Sequence, residues 1–369
     1  MSVLQLETAL LAAAVAAACA VPGVWLVLRR LSLVGDAISH VLLFGIVIAY
    51  FVVPDLYSPW LLAGAAASGV LTVALVEALQ RTRLVKEDAA IGLVFPALFA
   101  VGTLLASIYF RGTHLDVDNV LLGHLEFLYL QPRWLDGPFG RKPTLIMLGF
   151  LAANAGLVAM LFKELKLSTF DPALAAALGF APAVLHYGLM TAVSLTTVAA
   201  FDAVGPVLVV AFLIVPAITA RQLTDRLWLM LVLSVAVGVV AAFAGVWVAF
   251  RLGTNIAGTV AVGLGLLLAL VLIAAPRDGL IASAARRWRQ RRALHETMLT
   301  IHLAQHEGTP AEPDEAAADG LHRHLHWDKE QAARVVRRAE QRGLVVRRDG
   351  LLKLTTAGRE RAREVLGRL

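Results

Sequence analysis

Runs of roughly 18–25 apolar residues recur through the first 275 positions of this 369-residue chain, each long enough to cross about 30 Å of hydrocarbon as a helix. They cover 9–28, 33–53, 60–79, 91–110, 145–162, 183–200, 204–220, 227–250 and 257–275. Hydrocarbon offers no hydrogen-bond partner to a peptide group, so each run must satisfy its backbone internally, as a helix. A transmembrane barrel requires alternating segments of about ten residues, which are absent. The run 204–220 carries Gly205, Pro206 and Pro216, so it reads either as a full span or as a broken one; eight or nine spans are expected. Charged residues make up only 16% of the chain, against about 25% in soluble domains.

Lys and Arg collect in the short cytoplasmic connections of membrane proteins. With nine spans, Arg29/Arg30, Arg81/Arg83/Lys86, Lys163/Lys166, Arg221/Arg226 and Arg277 share one side, which puts the N-terminus outside and the C-terminus inside. The connection 111–142 departs from this rule, since it places Arg111, Arg133, Arg141 and Lys142 outside, mixed with Asp116, Asp118, Glu126 and Asp136; its apolar stretch 120–130 suits a short re-entrant or surface helix. The first 285 residues hold 15 basic and 15 acidic side chains, so the net charge of +6 lies in the last 84. That shift divides the chain into a transmembrane domain, 1–285, and a cytoplasmic domain, 286–369.

The second part opens with Arg286, Arg287, Arg289, Arg291 and Arg292, a basic run suited to anionic membrane lipid. A helix is expected over 294–305, a polar linker over 307–318 and a second helix over 319–326. A third starts at Asp328, with Gln331 as its capping-box partner, and ends near Arg342 before Gly343. Short strands at 344–346 and 351–354 flank Asp349-Gly350, a hairpin signal, and 356–366 reads as a last helix. This is the element order of a small α+β winged-helix domain.

The chain has no Gly-Lys-Ser/Thr loop, no His-Glu-x-x-His and no dinucleotide fingerprint, so a pore or carrier is expected rather than an enzyme. Its one cysteine, Cys19, excludes a disulfide framework and a thiolate metal site. Ionisable groups inside membrane helices are functional candidates by default. Asp36 and His40, near the start of the second run, are one helical turn apart on one face. A carboxylate and an imidazole so spaced suit joint ligation of Mn²⁺, Zn²⁺ or Fe²⁺; equally, Asp36 suits a helix cap and His40 a hydrogen bond within the bundle. Two ligands are too few alone, and a two-fold dimer supplies four. Between two runs, Asp171 suits an N-cap, Pro172 the first helical position and Gly179 the helix end, which makes a short cytoplasmic helix that either docks on a partner or merely connects. Asp202 lies either on a pathway or in an outer loop.

These residues resemble the ABC-3 family of permeases, the membrane subunits of bacterial manganese, zinc and iron importers. The matching stretches are 32–40, 86–92 (Lys-Glu-Asp-Ala-Ala-Ile-Gly), 163–179, 204–226 and 253–262, in order over nearly the whole membrane part. The resemblance implies an all-α polytopic ABC-3 permease fold of eight or nine transmembrane helices in the bacterial inner membrane. It implies a permease dimer, either a homodimer or a heterodimer with a paralogous permease. ATP hydrolysis then belongs to a separate ABC ATPase subunit that receives the segment from Phe170, Asp171, Pro172 and Ala173 to Gly179, and an extracytoplasmic metal-binding protein delivers the ion. The family's Asp-x-x-x-His pair matches Asp36 and His40, and Asp202 is a further metal candidate. The transported ion is expected to be Mn²⁺, with Zn²⁺ or Fe²⁺ as alternatives, and no cofactor is bound permanently. The form Phe201-Asp202-Ala203-Val204-Gly205 is similar to the manganese/iron branch. The tail resembles the winged-helix domain of diphtheria-toxin-repressor-like regulators at 295–299 and 343–358. With Glu330 and Glu340 among Arg334, Arg337, Arg338 and Arg342, it is expected to be a regulatory or protein-contact module and not a nucleic-acid binder. His322, His324 and His326 suggest metal sensing. Two rival functions are a membrane-anchored metal-responsive transcription regulator and an ion-driven carrier.

Overall fold

The computed structural model describes residues 2–54, 58–109, 125, 128–275, 279–348 and 350–366. The chain divides into two compact units, Met1–Arg277 and Asp278–Leu369. Among the described residues of the first unit, nine helices are long and apolar enough to cross a membrane. They are α1 (Val3–Leu28), α2 (Ser32–Val52), α3 (Pro59–Arg81), α4 (Glu87–Tyr109), α5 (Lys142–Met160), α8 (Pro182–Val204), α9 (Pro206–Leu223), α10 (Leu227–Leu252) and α11 (Ile256–Ala274). Two short helices, α6 (Phe162–Phe170) and α7 (Pro172–Ala177), lie between α5 and α8. The segment read as either whole or broken is a continuous 18-residue helix, α9, which runs through Pro216. Half of the connection 111–142, including most of 120–130, lies outside the described residues; within it, Leu125 is buried and Leu128–Leu130 forms a single 3₁₀ turn.

Helix α1 is the hub, packed against α5, α8, α9 and α10. Its sequence explains this. Ala12, Ala13, Ala14, Ala16, Ala17, Ala18 and Ala20 are all buried, and small side chains on every face let neighbouring backbones approach closely. Pro22 inside α1 cannot donate to the carbonyl of Ala18. In hydrocarbon an orphan carbonyl is costly. Asn154 of α5, itself buried, answers it: Nδ2 donates to Ala18 O at 3.0 Å and to Thr196 Oγ1 of α8 at 2.8 Å. One amide thus joins three helices at the point where the proline opens the ladder. Helices α2, α3 and α4 pack together and reach the hub through α3 and α8. Leu93 and Leu104 of α4, and Val262, Leu266 and Leu270 of α11, stand exposed, as hydrocarbon-facing positions should.

Two of the four basic residues that depart from the charge rule share one acidic partner. Glu7 of α1 is 1% exposed, and both Arg133 and Arg141 bond to it, Arg141 through Nε at 3.0 Å. Arg141 Nη1 also donates to the carbonyls of Tyr129 and Gln131. Together Arg133 and Arg141 neutralise that buried carboxylate, with one positive charge in excess.

The second unit contains α12 (Leu280–His306), one-turn helices α13 (Glu312–Glu315) and α14 (Leu321–His324), α15 (Lys329–Gln341), strands β1 (Val345–Arg348) and β2 (Leu351–Leu354), and α16 (Thr356–Leu366). The strands pair antiparallel with Val345 opposite Leu354. Leu299, Leu303, Leu321, Trp327, Val335, Val336, Leu352 and Leu354 form its core. Three expectations change. The basic run and the first expected helix are one helix, α12. The second expected helix shrinks to the single turn α14, and the expected linker contains α13. Asp328 is the N-cap of α15 but makes no side-chain cap bond, and the Gln331 side chain lies 3.1 Å from His295 Nε2 instead of completing a capping box. Gly343, at φ 66, ends α15 in the left-handed region as expected; Asp349 lies outside the described residues. Beside Glu307, the Arg359 guanidinium holds the carboxyl below its usual range.

Candidate functional site

Helix α2 starts at Ser32 with Leu31 as N-cap and no side-chain cap bond. Asp36 therefore sits in the second turn, and the capping alternative does not hold. His40 Nε2 lies 3.5 Å from Asp36 Oδ1, and the two side chains are 47% and 44% exposed. The His40 ring stacks on Phe95 of α4 at 5.6 Å and meets Phe99 edge-on at 6.3 Å. Val34, Ala37, Ile38, Val41 and Leu42 face the bundle, so the pair stands on the opposite, open face. Ser39 Oγ donates to Asp36 O at 2.6 Å, which leaves the carboxylate unused by it.

Asp202 is exposed in the last turn of α8, before Gly205. A Cβ on Gly69 of α3 would touch both Ile38 Cγ2 and Ser194 Oγ, so these two residues are level. Asp202 lies eight residues beyond Ser194, about 12 Å farther along the helix.

Helix α7 is built by its caps. The Asp171 side chain accepts from Leu174 N at 2.9 Å, Pro172 occupies the first turn, and Gly179 takes φ 87. Ala175 is its buried residue, while Phe170, Leu174 and Leu178 are exposed by 62%, 46% and 61%. Phe170 closes α6, Leu174 lies in α7 and Leu178 caps it, so this segment carries three exposed large apolar side chains. Behind it, Arg29 at the end of α1 donates to Ser168 Oγ and Thr169 Oγ1 of α6, both at 3.0 Å, and to His186 Nδ1 of α8 at 3.1 Å. A guanidinium only donates, so His186 Nδ1 accepts and its proton sits on Nε2. That nitrogen lies 2.7 Å from Glu77 Oε1 of α3, and Tyr187 donates to Glu77 Oε2 at 2.6 Å. The α6–α7 segment is thus tied to the ends of α1, α3 and α8.

The sequence profile of the ABC 3 transport family matches residues 3–275, all nine long helices and the α6–α7 segment included. The chain belongs to the ABC 3 transport family. Among its relatives, the zinc transport system membrane protein TroD of Treponema pallidum is 44% identical over 356 residues, 96% of this chain and 97% of that one. The manganese transport system membrane protein MntD of Bacillus subtilis is 41% identical over 273 residues, 74% of this chain and 92% of its own. PsaBC from Streptococcus pneumoniae, solved in complex with Fab, superposes with a TM-score of 0.63 at 27% identity, over 75% of this chain and 94% of that one. The alignment with TroD reaches into the C-terminal unit of this ABC 3 chain, whereas the family profile stops before it.

The polar tie behind α7 was not foreseen for this ABC 3 protein. In the sequence Arg29 reads as a marker of sidedness, and Glu77 and His186 are ionisable groups inside expected spans whose partners lie far along the chain. In the C-terminal unit the three alternating histidines separate. His324 turns to Glu315, His322 meets Asp319 O at 2.9 Å, and His326 takes a left-handed φ of 54.

Proposed function

We propose that this permease carries a divalent transition metal along a path lined by Asp36 and His40, Mn²⁺ first, with Zn²⁺ and Fe²⁺ as alternatives. The chain is the membrane-spanning permease subunit of a metal ABC importer, and a separate subunit hydrolyses ATP. The observation that carries the metal role is the open face on which the pair stands. A charged side chain in mid-membrane costs roughly 2.5–3.5 kcal/mol, so a half-exposed carboxylate and imidazole need a polar or protein-covered surface in front of them. A second permease, a like copy or a paralogue, places a second pair opposite and completes a four-ligand site. Relatives named for zinc and for manganese transport support a divalent ion of this class.

The exposed face of α7 seats on the ATPase subunit, and the Arg29 tie passes its displacement to α1, α3 and α8. ATP binding favours one access state and hydrolysis the other; direction comes from unequal metal affinity in the two. An extracytoplasmic binding protein supplies the ion. The N-terminus is outside and the C-terminal unit is a cytoplasmic winged-helix module, supported by the order of α12, α14, α15, the β1–β2 hairpin and α16. Glu330 lies 3.7 Å from Arg334, and Arg342 is held by the buried Glu296 at 2.7 Å, which supports a contact or regulatory role over nucleic-acid binding.

Proteoliposomes holding the permease with its ATPase subunit are expected to accumulate Mn²⁺ or Zn²⁺ only when ATP is supplied. Equal uptake by the permease alone, driven by an ion gradient, overturns this reading in favour of a carrier. Asp171→Ala removes the cap bond of α7, worth about 1 kcal/mol, and is expected to lower transport-coupled ATPase turnover about fivefold with metal binding unchanged. Turnover equal to wild type would remove α7 from the coupling path.

A further inference from the structure

We propose that His302, His306, His324 and Glu315 form a second divalent-metal site, built wholly within the C-terminal unit and independent of the membrane pair. His302 and His306 occupy successive turns at the end of α12, their rings 4.9 Å apart. Glu315 closes α13 and brings its carboxylate back onto them. Its Oε2 lies 3.3 Å from His302 Nε2 and 2.9 Å from His324 Nδ1, and ligand atoms of His302, His306 and Glu315 all fall within 4.8 Å of one another. The His302 and His324 rings stack with centroids 6.1 Å apart.

The spacings suit an ion. Around a tetrahedral ion at about 2.0–2.1 Å from each nitrogen or oxygen, ligand atoms stand roughly 3.3 Å apart. The edge from Glu315 to His302 already has that length, the 2.9 Å edge to His324 opens slightly around an ion, and His306 closes the remaining gap by turning its side chain. The support is rigid. Leu303 and Ala316, each adjacent to a ligand, are buried in the core, and Ala316 O accepts from Leu352 N at 2.9 Å. Gly308, at φ 74, turns the chain after α12, and its N–H donates to Glu312 Oε2 at 2.7 Å. A simple tie from helix to turn needs one imidazole; three converging on one carboxylate is a ligand set. Three nitrogens and one oxygen favour Zn²⁺, Co²⁺ or Ni²⁺ over Mn²⁺. His302 also meets the Glu315 carbonyl at 3.2 Å, a contact that an ion replaces.

The test uses the tag-free full chain in detergent, with Asp36→Ala and His40→Ala to silence the membrane pair, titrated with Co²⁺ by visible absorption and with Zn²⁺ by competition. One Co²⁺ per chain with nitrogen-rich, low-coordinate absorption is expected. His306→Ala and His324→Ala, both at partly exposed side chains, are each expected to weaken binding by roughly 10–100-fold with unchanged circular dichroism, and His322→Ala to leave it as it was. The proposal is overturned if the parent chain binds Co²⁺ and Zn²⁺ no more tightly than the His306 and His324 variants, or if His322→Ala weakens binding as much. Failure here leaves the membrane pathway untouched, because that pair is absent from every protein tested.

Discussion

Metal uptake is expected to fall by roughly 100-fold or more when Asp36→Ala and His40→Ala are combined, while the permease still inserts, assembles with its ATPase subunit and hydrolyses ATP at the basal rate. The two side chains face each other across 3.5 Å on an open face of α2, and nothing else in the described fold uses them structurally: Asp36 caps no helix, and His40 only rests on Phe95 and Phe99. Their removal therefore costs the fold little. Taking an ionisable group out of hydrocarbon is favourable, so the double variant should denature at the same temperature as wild type or higher. Initial rates of Mn²⁺ and Zn²⁺ entry into proteoliposomes, with a melting curve of each variant, separate loss of ligands from loss of fold. Wild-type uptake by a stably assembled double variant would remove the pair from the pathway.

Gly23→Leu is expected to destroy the bundle outright. Gly23 lies where α1 crosses α9, and a Cβ there would stand 2.0 Å from Leu213 O and 2.9 Å from Leu213 C. Both atoms are backbone, so no rotamer change relieves the clash, and the helices must separate at the hub. Overpacking of this kind costs about 1–3 kcal/mol, and more where backbone must move, and here it also disturbs the neighbouring tie from Asn154 to the Ala18 carbonyl. Gly265→Leu provides the control. That glycine lies on the exposed side of α11, with nothing within 4 Å of an added Cβ, and the same leucine there should be neutral. The measure is the monodisperse fraction after detergent extraction. Equal yields for the two variants would show that α1 and α9 do not cross this closely.

What could be read from the chain alone follows from how local the cause is. The spans are legible because hydrocarbon imposes length and apolarity on each segment separately. The ends of α7 and α15 are legible because Asp171, Pro172, Gly179 and Gly343 act on backbone within a turn of themselves. Asp36 and His40 are legible as a pair because a helix brings every fourth residue together. That was also the signal missed at His302 and His306, where the denser run at 322–326 drew attention instead.

Tertiary structure decided the rest, since in each case the partner is remote in sequence. Arg133 and Arg141 contradicted the charge rule until Glu7, more than a hundred residues earlier, was found buried between them. Gln331 was within reach of Asp328 but met His295 of another helix. The amino-acid sequence determined that the membrane part of this chain forms long apolar helices, that Asp36 and His40 pair on one of them and that a capped short helix follows Asp171, because solvent and helix geometry enforce those choices residue by residue. Only the packed chain decided which charges neutralise one another, which side chain answers the carbonyl that Pro22 leaves free and which histidines meet, because those depend on distances that no local rule contains.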